Sequence, residues 1–532
     1  MKKTLVAIFV FSLFIRLYSV SNTPPLLWDE AALGYNAYSI LQTGKDEFGQ
    51  FLPLIFKSFG DFKPGLYTYL TVPFVYLFGL NEISVRLPSI IFGSLTPVLL
   101  YLLITKFNSK SRALAFYSSI ILAISPFSIH FSRNAWETNI LTFELILASY
   151  FFLSKKFFFS ALVFGLTLFT YQSAKMISLF LILSLIITNR SQIQVNLKAF
   201  LLKFILTLFI FSLPVAYGLF FGQDANRLKV VSLLSYPRSQ VETEMIISES
   251  NNLDYQTFYS QPFFFTRNFL SRYFNHFSPR YLFFEGDWQN PRHSAPYVGM
   301  LLYPSLVLLP LGFFFYLSSS KKDRLSNLML LWLIFAPIPA ALTRDSVQST
   351  RAMSLSVPLI YFSALGIYYL YRLIHKSYFV NLISIFLVIG YLISFLYYSD
   401  LYLNHMVKKN PNDFLYGHRQ AIEYVLKNGD DKQVFFTNFY GQPHIFYLFY
   451  SQYSPVKYQQ TNHYLSNGLD TGTVEQIDHI KFTSPQFNDL KNKKNVLVIF
   501  SWDETLRQGI DLKLLTPISP IGQHSTFYAF QN

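Results

Sequence analysis

Long runs of apolar residues, separated by short polar segments, recur along the first three quarters of the chain. A helix needs about 20 apolar residues to cross a bilayer, within a usable range of roughly 17 to 25. The runs therefore predict a polytopic α-helical membrane protein with about eleven spans. We place these spans near residues 4–20, 87–105, 113–130, 140–154, 157–173, 175–188, 199–221, 297–317, 327–342, 353–371 and 379–398.

One further apolar run, 65–79, fits a span poorly. As a helix it would extend only ~23 Å, short of a hydrocarbon core of ~30 Å, and it contains Pro73. If this run lies in the membrane interface, the N-terminal lysines and the basic clusters at 106–112 and 318–324 all fall on one side, which the positive-inside rule makes cytoplasmic. The outer face then receives residues 21–86, 132–139, 171–175, 222–296, 343–353 and 399–532.

The C-terminal segment has a different pattern, in which short apolar strands alternate with helices. It predicts strands at 433–438 and 495–500 and helices at 421–429 and 444–453. We therefore expect two domains. They are a transmembrane domain at 1–398, with large outer loops at 21–86 and 222–296, and a small α/β domain at 399–532 outside the membrane.

Composition agrees with this assignment. The chain is 52% hydrophobic and only 14% charged, which is too apolar for a large soluble enzyme. Its net charge of +14 does not indicate nucleic-acid binding, because many basic residues stand in clusters between apolar runs. There are no cysteines for disulfides or metal sites.

The N-terminus is similar to a secretory signal, but Arg16 lies within its apolar run, so we expect an uncleaved first helix in the cytoplasmic membrane.

Candidate chemistry gathers on the predicted outer face. Asp29 and Glu30 directly follow the first helix, where a carboxylate is costly unless it faces water, a cation or a substrate. The alternative is that the two acids only cap the next helix. Cations beside carboxylates suit a site that binds the phosphate of a lipid carrier while a carboxylate takes a proton from an acceptor. The other charged candidates are Asp61, Lys63, Arg86, Arg133, Glu137, Lys175, Arg344 and Arg351.

Simpler roles stay open for several of these residues. Lys63 and Arg86 could anchor the chain at lipid headgroups, and Arg133 and Glu137 could form an intrahelical ion pair. A transporter or flippase of lipid-linked sugars would use the same cations. It would also need a polar path through the membrane, where Glu144 is the main interior charge. The acids near Asp29 favour an enzyme.

Three motifs carry a family resemblance. The "WDE" triplet after the first helix, the Lys63-Pro-Gly-Leu step, and "LFGLNEISVRLPSIIFGSLTPVLLYLL" at 77–103 together resemble polyprenyl-phosphate-dependent glycosyltransferases of the GT-C superfamily. The chain is similar to the bacterial protein O-mannosyltransferase-like enzymes and lipid A aminoarabinose transferases of that group. The resemblance covers residues 1 to about 400 in its span pattern.

The resemblance implies an inverting transfer of a sugar from a polyprenyl-phosphate donor to a glycan, lipid or protein acceptor. Asp29 would be the catalytic base, with Glu30, Asp61 and Glu137 at the acceptor or orienting the site. The family's Pro-Pro step reads Pro64-Gly65 here. The implied phosphate contacts are Lys63, Arg86, Arg133, Lys175, Arg344 and Arg351.

The segment 286–299 also looks like part of this family. Its Asp287, Arg292 and His293 would touch the donor or acceptor, unless the segment is an ordinary ordered loop. Some relatives bind a divalent metal, but no compact cluster of His, Asp and Glu with ligand spacing stands in this sequence. We therefore predict no required metal and no other cofactor, and binding of a divalent metal stays open as the alternative.

Overall fold

The computed structural model of the chain divides into two compact units. One comprises Met1–Arg16, Ile91–Ser132 and Trp136–Ser399, and the other comprises Leu17–Ile90, Arg133–Ala135 and Asp400–Asn532. The second unit therefore includes the predicted first outer loop together with the C-terminal segment. The structure describes residues 2–59, 61–107, 112–221, 232–233, 260–320, 322–373, 377–461, 464–466 and 472–532, and the single positions 244, 248, 253 and 258. Much of the predicted loop 222–296 lies outside the described residues.

The first unit is built from helices. One of them, Glu82–Phe107, begins in the second unit and continues into the first. The others are Lys2–Leu17, Arg112–Ile124, Pro126–Ser132, Glu137–Leu153, Phe157–Thr167, Ala174–Thr188, Arg190–Val195, Leu197–Phe200, Leu206–Phe221, Gln261–Asn275, Ser305–Ser318, Arg324–Phe335, Ile338–Ala341, Ser349–Ala352, Ser356–Leu373 and Ser377–Asp400. Short π-helical or 3₁₀ turns occur at Leu201–Ile205, Arg280–Phe284, Pro291–His293 and Met353–Leu355.

Several of these helices suit a bilayer, so the chain is a multi-pass membrane protein. Among the described residues, five helical stretches are long and apolar enough to span: Glu82–Phe107, Leu197–Gly218, Arg324–Ala341, Ser349–Leu373 and Tyr378–Lys409. The pair Arg112–Ile124 and Pro126–Ser132, bent by 53°, would make a sixth. Shorter apolar helices are Leu66–Phe78, Phe157–Thr167, Ala174–Thr188 and Ser305–Ser318. A helix covers most of each predicted span, but the count of eleven stays a prediction.

Hydrogen bonds explain how the charged residue Arg16 fits within the first apolar run. Its side chain is fully buried. Nη1 donates to Ser12 Oγ at 2.6 Å and to Ala123 O at 3.3 Å, and Nη2 donates to Ser128 Oγ at 2.7 Å. The carbonyl of Ala123 lies near the end of a helix that breaks before Pro126, where backbone acceptors lack helical partners. Arg16 thus ties the first helix to this break.

Two glycines allow the helices Ser305–Ser318 and Ser356–Leu373 to approach closely. A Cβ added to Gly312 would meet Phe362 O at 1.9 Å, and one added to Gly366 would meet Leu308 O at 2.2 Å. Apolar side chains gain little by leaving lipid for another helix, so small residues that permit backbone contact favour helix association.

The second unit begins with the helix Trp28–Thr43 and a hairpin of two strands, Ile55–Ser58 and Asp61–Pro64. Leu66–Phe78, the run predicted to lie in the interface, is a helix of only 13 residues. A π-helical turn at Leu401–His405 leads into the C-terminal part. Its helices are Met406–Lys409, His418–Asn428, Pro443–Tyr450, Pro455–Thr461, Phe487–Leu490 and Trp502–Arg507, followed by a 3₁₀ turn at Leu512–Leu514.

A mixed six-stranded sheet forms the centre of the C-terminal part. We number the chain's strands β1 (Ile55–Ser58), β2 (Asp61–Pro64), β3 (Gln433–Phe436), β4 (Tyr464–Ser466), β5 (Gly472–Val474), β6 (Gln476–Ile477), β7 (Ile480–Phe482), β8 (Val496–Ser501), β9 (Thr516–Pro517), β10 (Pro520–Ile521), β11 (His524–Ser525) and β12 (Phe527–Gln531). The sheet order is β6-β7-β3-β8-β12-β9, and β3 runs parallel to β7 and β8. Strand β8 is buried along its whole length. The predicted α/β character of this segment is confirmed.

Replacing Gly366 with alanine should separate the two closely packed helices. We expect Gly366→Ala to lower the free energy of unfolding by about 1–3 kcal/mol, because overpacking forces the backbones apart. Thermal unfolding in detergent measures this loss. Gly390→Ala is the matched control, since its Cβ would come no closer than 3.3 Å to Pro304 Cγ. Equal stability of the two variants would contradict the proposed role of Gly366.

Candidate active site

The predicted base, Asp29, lies in the first turn of the helix Trp28–Thr43 and forms an ion pair with Lys63. Lys63 reaches it from strand β2 of the hairpin. Trp28 Nε1 donates to Asp29 Oδ2 at 3.1 Å. The Asp29 side chain is 31% exposed and that of Lys63 is 17% exposed, so both groups are held by neighbours and still accessible.

A small cavity adjoins this pair. Besides Asp29 and Lys63, its walls include Asn36 and Thr68 on the two flanking helices and Ser58 on the hairpin. The Ser58 hydroxyl is buried and has no hydrogen-bond partner among the described residues. A buried hydroxyl without a partner is costly, and this cavity of about 10 Å³ has room for roughly one water molecule that could complete it.

Glu30 and Arg86 form a buried ion pair. Arg86 Nε donates to Glu30 Oε1 at 2.9 Å, and Nη2 donates to Oε2 at 2.7 Å, which is the bidentate geometry that favours strong carboxylate binding. Arg86 is fully buried and Glu30 is 2% exposed. Glu30 Oε2 also accepts from the Leu27 amide at 3.0 Å, and Oε1 accepts from the Ala135 amide at 2.8 Å. Glu30 therefore orients the chain around Asp29.

The prediction that Arg86 binds the donor phosphate is not supported. Its remaining N–H groups donate to three backbone carbonyls, those of Val20 at 2.7 Å, Pro24 at 2.9 Å and Pro25 at 3.1 Å. A guanidinium has five N–H donors, and all five are used within the protein. Because Arg86 is fully buried and all its N–H groups are paired, none of them is left to donate to a phosphate. Its hydrogen bonds instead hold the turn that leads to Asp29.

Arg133 also donates a hydrogen bond to the turn that precedes Trp28. It is buried, its Nη2 donates to Thr23 O at 3.1 Å, and its guanidinium lies 5.2 Å from the ring centre of Tyr402. Both neighbours belong to the same compact unit.

The backbone of Asp61 pairs with Ser58 in the hairpin, whereas the Asp61 side chain lies outside the described part of the structure.

Glu47 and Asn36, which the sequence did not single out, form a second buried group in this unit. Asn36 Nδ2 donates to Glu47 Oε1 at 3.0 Å, and the Glu47 amide donates to Asn36 Oδ1 at 3.0 Å. Burial raises the pKa of Glu47 to about 8. The hydrogen bond from Asn36 opposes this rise, the Asp46 charge adds to it, and the Lys63 charge opposes it. Glu47 is therefore largely protonated at neutral pH. Since Asn36 also lines the cavity, it connects Glu47 to the surroundings of Asp29.

The other candidate cations and Glu137 lie in the first unit. Arg351 Nη1 donates to Thr343 Oγ1 at 3.1 Å and lies 3.9 Å from Asp345. Arg344 is exposed and lies 3.9 Å from the same carboxylate. Lys175 is half-buried at the start of the helix Ala174–Thr188, and Glu137 is buried at the start of Glu137–Leu153.

Asp287 and His293 anchor a loop in the first unit. His293 Nδ1 lies 3.0 Å from Asp287 Oδ2, which also accepts from the Ser349 amide at 2.9 Å. Burial alone would raise the pKa of Asp287, but the hydrogen bonds from His293 and two backbone amides lower it below its ordinary value. These contacts favour the ordered-loop alternative for Asp287 and His293. Arg292 is half-buried, and its carbonyl lies 2.8 Å from His130 Nε2.

Similarities to known proteins agree with this fold. Residues 6–225 match the family model described as dolichyl-phosphate-mannose-protein mannosyltransferase. The crystal structure of ArnT from Cupriavidus metallidurans bound to undecaprenyl phosphate is similar to this chain with a TM-score of 0.55 and 12% identity, over 98% of this chain and 97% of that one. The apo structure of the same protein gives 0.55 and 11% over the same shares. No curated protein matches the sequence.

The Glu47 carboxyl should make stability depend on pH. Its folded pKa is about 8 against an ordinary value of 4.5, so the folded state holds the proton more tightly. The Glu47 carboxyl therefore contributes its full stabilisation of the folded state below about pH 4.5, and this contribution is lost as pH rises through 8. We expect the thermal midpoint to fall between pH 5 and about pH 8 in the wild type and to fall less in Glu47→Gln, measured in detergent. Parallel pH profiles would contradict a buried, protonated Glu47.

Proposed function

We propose that this chain is a glycosyltransferase of the GT-C superfamily and that it transfers a sugar from a polyprenyl-phosphate donor to an acceptor hydroxyl. The observation that carries this proposal is the Asp29–Lys63 pair, a partly exposed carboxylate and ammonium beside a cavity. One group can take a proton and the other can bind a phosphate. The similarity to a protein whose structure contains undecaprenyl phosphate supports the choice of donor.

Asp29 acts as the general base in a single displacement. The acceptor hydroxyl attacks the anomeric carbon and gives its proton to Asp29. The bond from that carbon to the phosphate oxygen breaks, and its electron pair leaves with the polyprenyl phosphate. One displacement inverts the anomeric configuration and needs no covalent sugar intermediate.

Lys63 binds the phosphate of the donor. In the free protein its ammonium pairs with Asp29. A phosphate that enters beside Lys63 competes for this ammonium, and Asp29 then loses a cation that favours its ionised form. Donor binding therefore makes Asp29 a better proton acceptor at the moment when a base is needed.

Arg351, Lys175 and Arg344 stay candidates for further phosphate contacts in this proposal. The Arg351 guanidinium donates to Thr343 Oγ1. Glu137 stays a candidate for orienting the acceptor. We propose that the N-terminus is cytoplasmic, that transfer occurs at the outer face of the cytoplasmic membrane, and that the acceptor is a glycan, lipid or protein.

Removing the base should nearly abolish turnover. We expect Asp29→Asn to reduce transfer by about 10² to 10⁴, the usual contribution of general-base catalysis, while donor binding persists. The measurement is release of polyprenyl phosphate from polyprenyl-phosphate sugars incubated with the purified protein and candidate acceptors. Asp430→Asn, at an exposed position, is the matched control. Wild-type rates in Asp29→Asn would remove Asp29 from the catalytic role, and a flippase would release no polyprenyl phosphate at all.

Removing the ammonium should weaken donor binding. A hydrogen bond to a charged group contributes about 1.5–3 kcal/mol, so Lys63→Gln should weaken binding of undecaprenyl phosphate roughly 10- to 100-fold. Calorimetry with the purified protein in nanodiscs measures the affinity. Lys57→Gln is the matched control, because Lys57 lies on the same hairpin and packs over Phe48 instead. Equal affinities of the two variants would contradict the phosphate role of Lys63.

A further inference from the structure

The second unit contains a cavity of about 460 Å³ that the proposed reaction does not use. Its walls come from the turn at 21–26, from residues 415–423 and from the helix Pro443–Tyr450, with Glu82 between them. Cavities of roughly 300–1,000 Å³ with a few convergent polar groups are typical of small-molecule sites. This one is distinct from the small cavity beside Asp29 and Lys63.

One wall carries a charged network. Glu82 Oε1 accepts from Arg419 Nη1 at 3.2 Å and from the Tyr450 hydroxyl at 3.1 Å. Arg419 Nε donates to Glu423 Oε1 at 2.9 Å. One guanidinium is thus shared by two carboxylates, which leaves spare acceptor oxygens. An anionic ligand would meet two negative charges and only one positive charge here.

Backbone donors line the same cavity. The helix His418–Asn428 begins at Gly417, which has a left-handed φ of 95° and provides no side-chain cap. A Cβ at Gly417 would meet Ser519 Oγ at 2.4 Å, so only glycine fits this entry into the helix. The amides of Arg419 and Gln420 have no acceptor among the described residues, as expected in a first helical turn. They lie among residues that line the cavity.

The aromatic part of the lining is uncharged. Phe446 and Tyr450 contribute from one helix, and His418 packs on Phe446 with ring centres 4.4 Å apart. Burial lowers the pKa of His418 to about 4, so its ring is neutral at physiological pH. The cavity therefore combines acceptors, donors and aromatic rings within one space.

We infer that this cavity binds a carbohydrate, namely a sugar unit of the acceptor. Sugar hydroxyls both donate and accept hydrogen bonds, so they can donate to Glu82 and Glu423 while they accept from the helix amides and Arg419. The apolar face of a sugar ring matches the partly exposed ring of Tyr450, whereas Phe446 and His418 are buried behind it in the wall. A neutral, hydroxyl-rich ligand satisfies this whole lining, whereas an anion or a simple cation satisfies only part of it.

The position of the cavity suits an acceptor subsite. Leu26 lines it and stands three residues before Asp29, so the two Cα atoms lie within about 11 Å of each other. Arg86 holds the carbonyl of Pro25, which lines the same wall, and that of the preceding Pro24. The subsite rests on the proposed transferase function for its role, but the binding of a sugar can be tested without transfer.

The test is direct binding in the absence of donor. Saturation-transfer NMR on the full-length protein in nanodiscs would use the methyl glycosides of glucose, galactose, mannose, rhamnose and N-acetylglucosamine. Gln420→Trp fills the cavity, and Lys427→Trp places the same bulk at an exposed site on the same helix, outside the cavity lining. We expect at least one glycoside to bind the wild type and Lys427→Trp alike, and to bind Gln420→Trp at least about tenfold more weakly.

No binding by any of the five glycosides, or equal binding by the two tryptophan variants, would overturn the inference. The Asp29→Asn protein separates this result from the proposed function. We expect it to bind the glycoside like the wild type, since the cavity does not include Asp29. Loss of transfer in that variant together with equal glycoside binding by the two tryptophan variants would leave the transferase proposal standing and reject the subsite.

Discussion

The candidate site depends on one buried ion pair, Glu30–Arg86. Removing two charges from water is costly, and their attraction compensates only when geometry and further hydrogen bonds are good. Here every N–H of Arg86 has an acceptor, and both Glu30 oxygens accept additional backbone donors. Deleting one partner of such a pair typically costs about 3–5 kcal/mol, because the other charge is left buried and unpaired. The pair joins the turn before Trp28, the start of the next helix and the amide of Ala135.

This arrangement gives two adjacent acids different surroundings, which suit the different roles that we propose for them. Glu30 faces the interior and fixes the backbone, while Asp29 emerges beside Lys63 with a third of its side chain exposed. A base needs a defined position more than it needs strong contacts of its own. The turn that Arg86 holds gives Asp29 a defined position and also lines the cavity that we propose for a sugar, so the proposed catalysis and acceptor binding would share one support.

The sequence predicted the helices and strands around this site better than the hydrogen bonds between their side chains. Hydrophobic periodicity located the helices and the α/β character of the C-terminal segment, because both are local properties of the chain. The phosphate contact that the resemblance implies for Arg86 did not foresee its hydrogen bonds, because the three carbonyl partners lie more than 60 residues away and saturation of a guanidinium leaves no local pattern. Glu47, Asn36 and Ser58 were missed because nothing in their spacing indicates burial. The loop after the helix brings Glu47 to Asn36, and the hairpin brings Ser58 to the cavity beside Asp29. The cavity between 21–26 and 415–423 likewise depends on contacts that span most of the chain.

The central claim is a single displacement on a polyprenyl-phosphate sugar. The most direct measurement is the anomeric configuration of the product, determined by NMR after the purified protein has reacted with a donor of known configuration. We predict that the product has the opposite configuration to the donor and that one polyprenyl phosphate is released for each sugar transferred. A product with retained configuration would require a second displacement and would contradict the role assigned to Asp29.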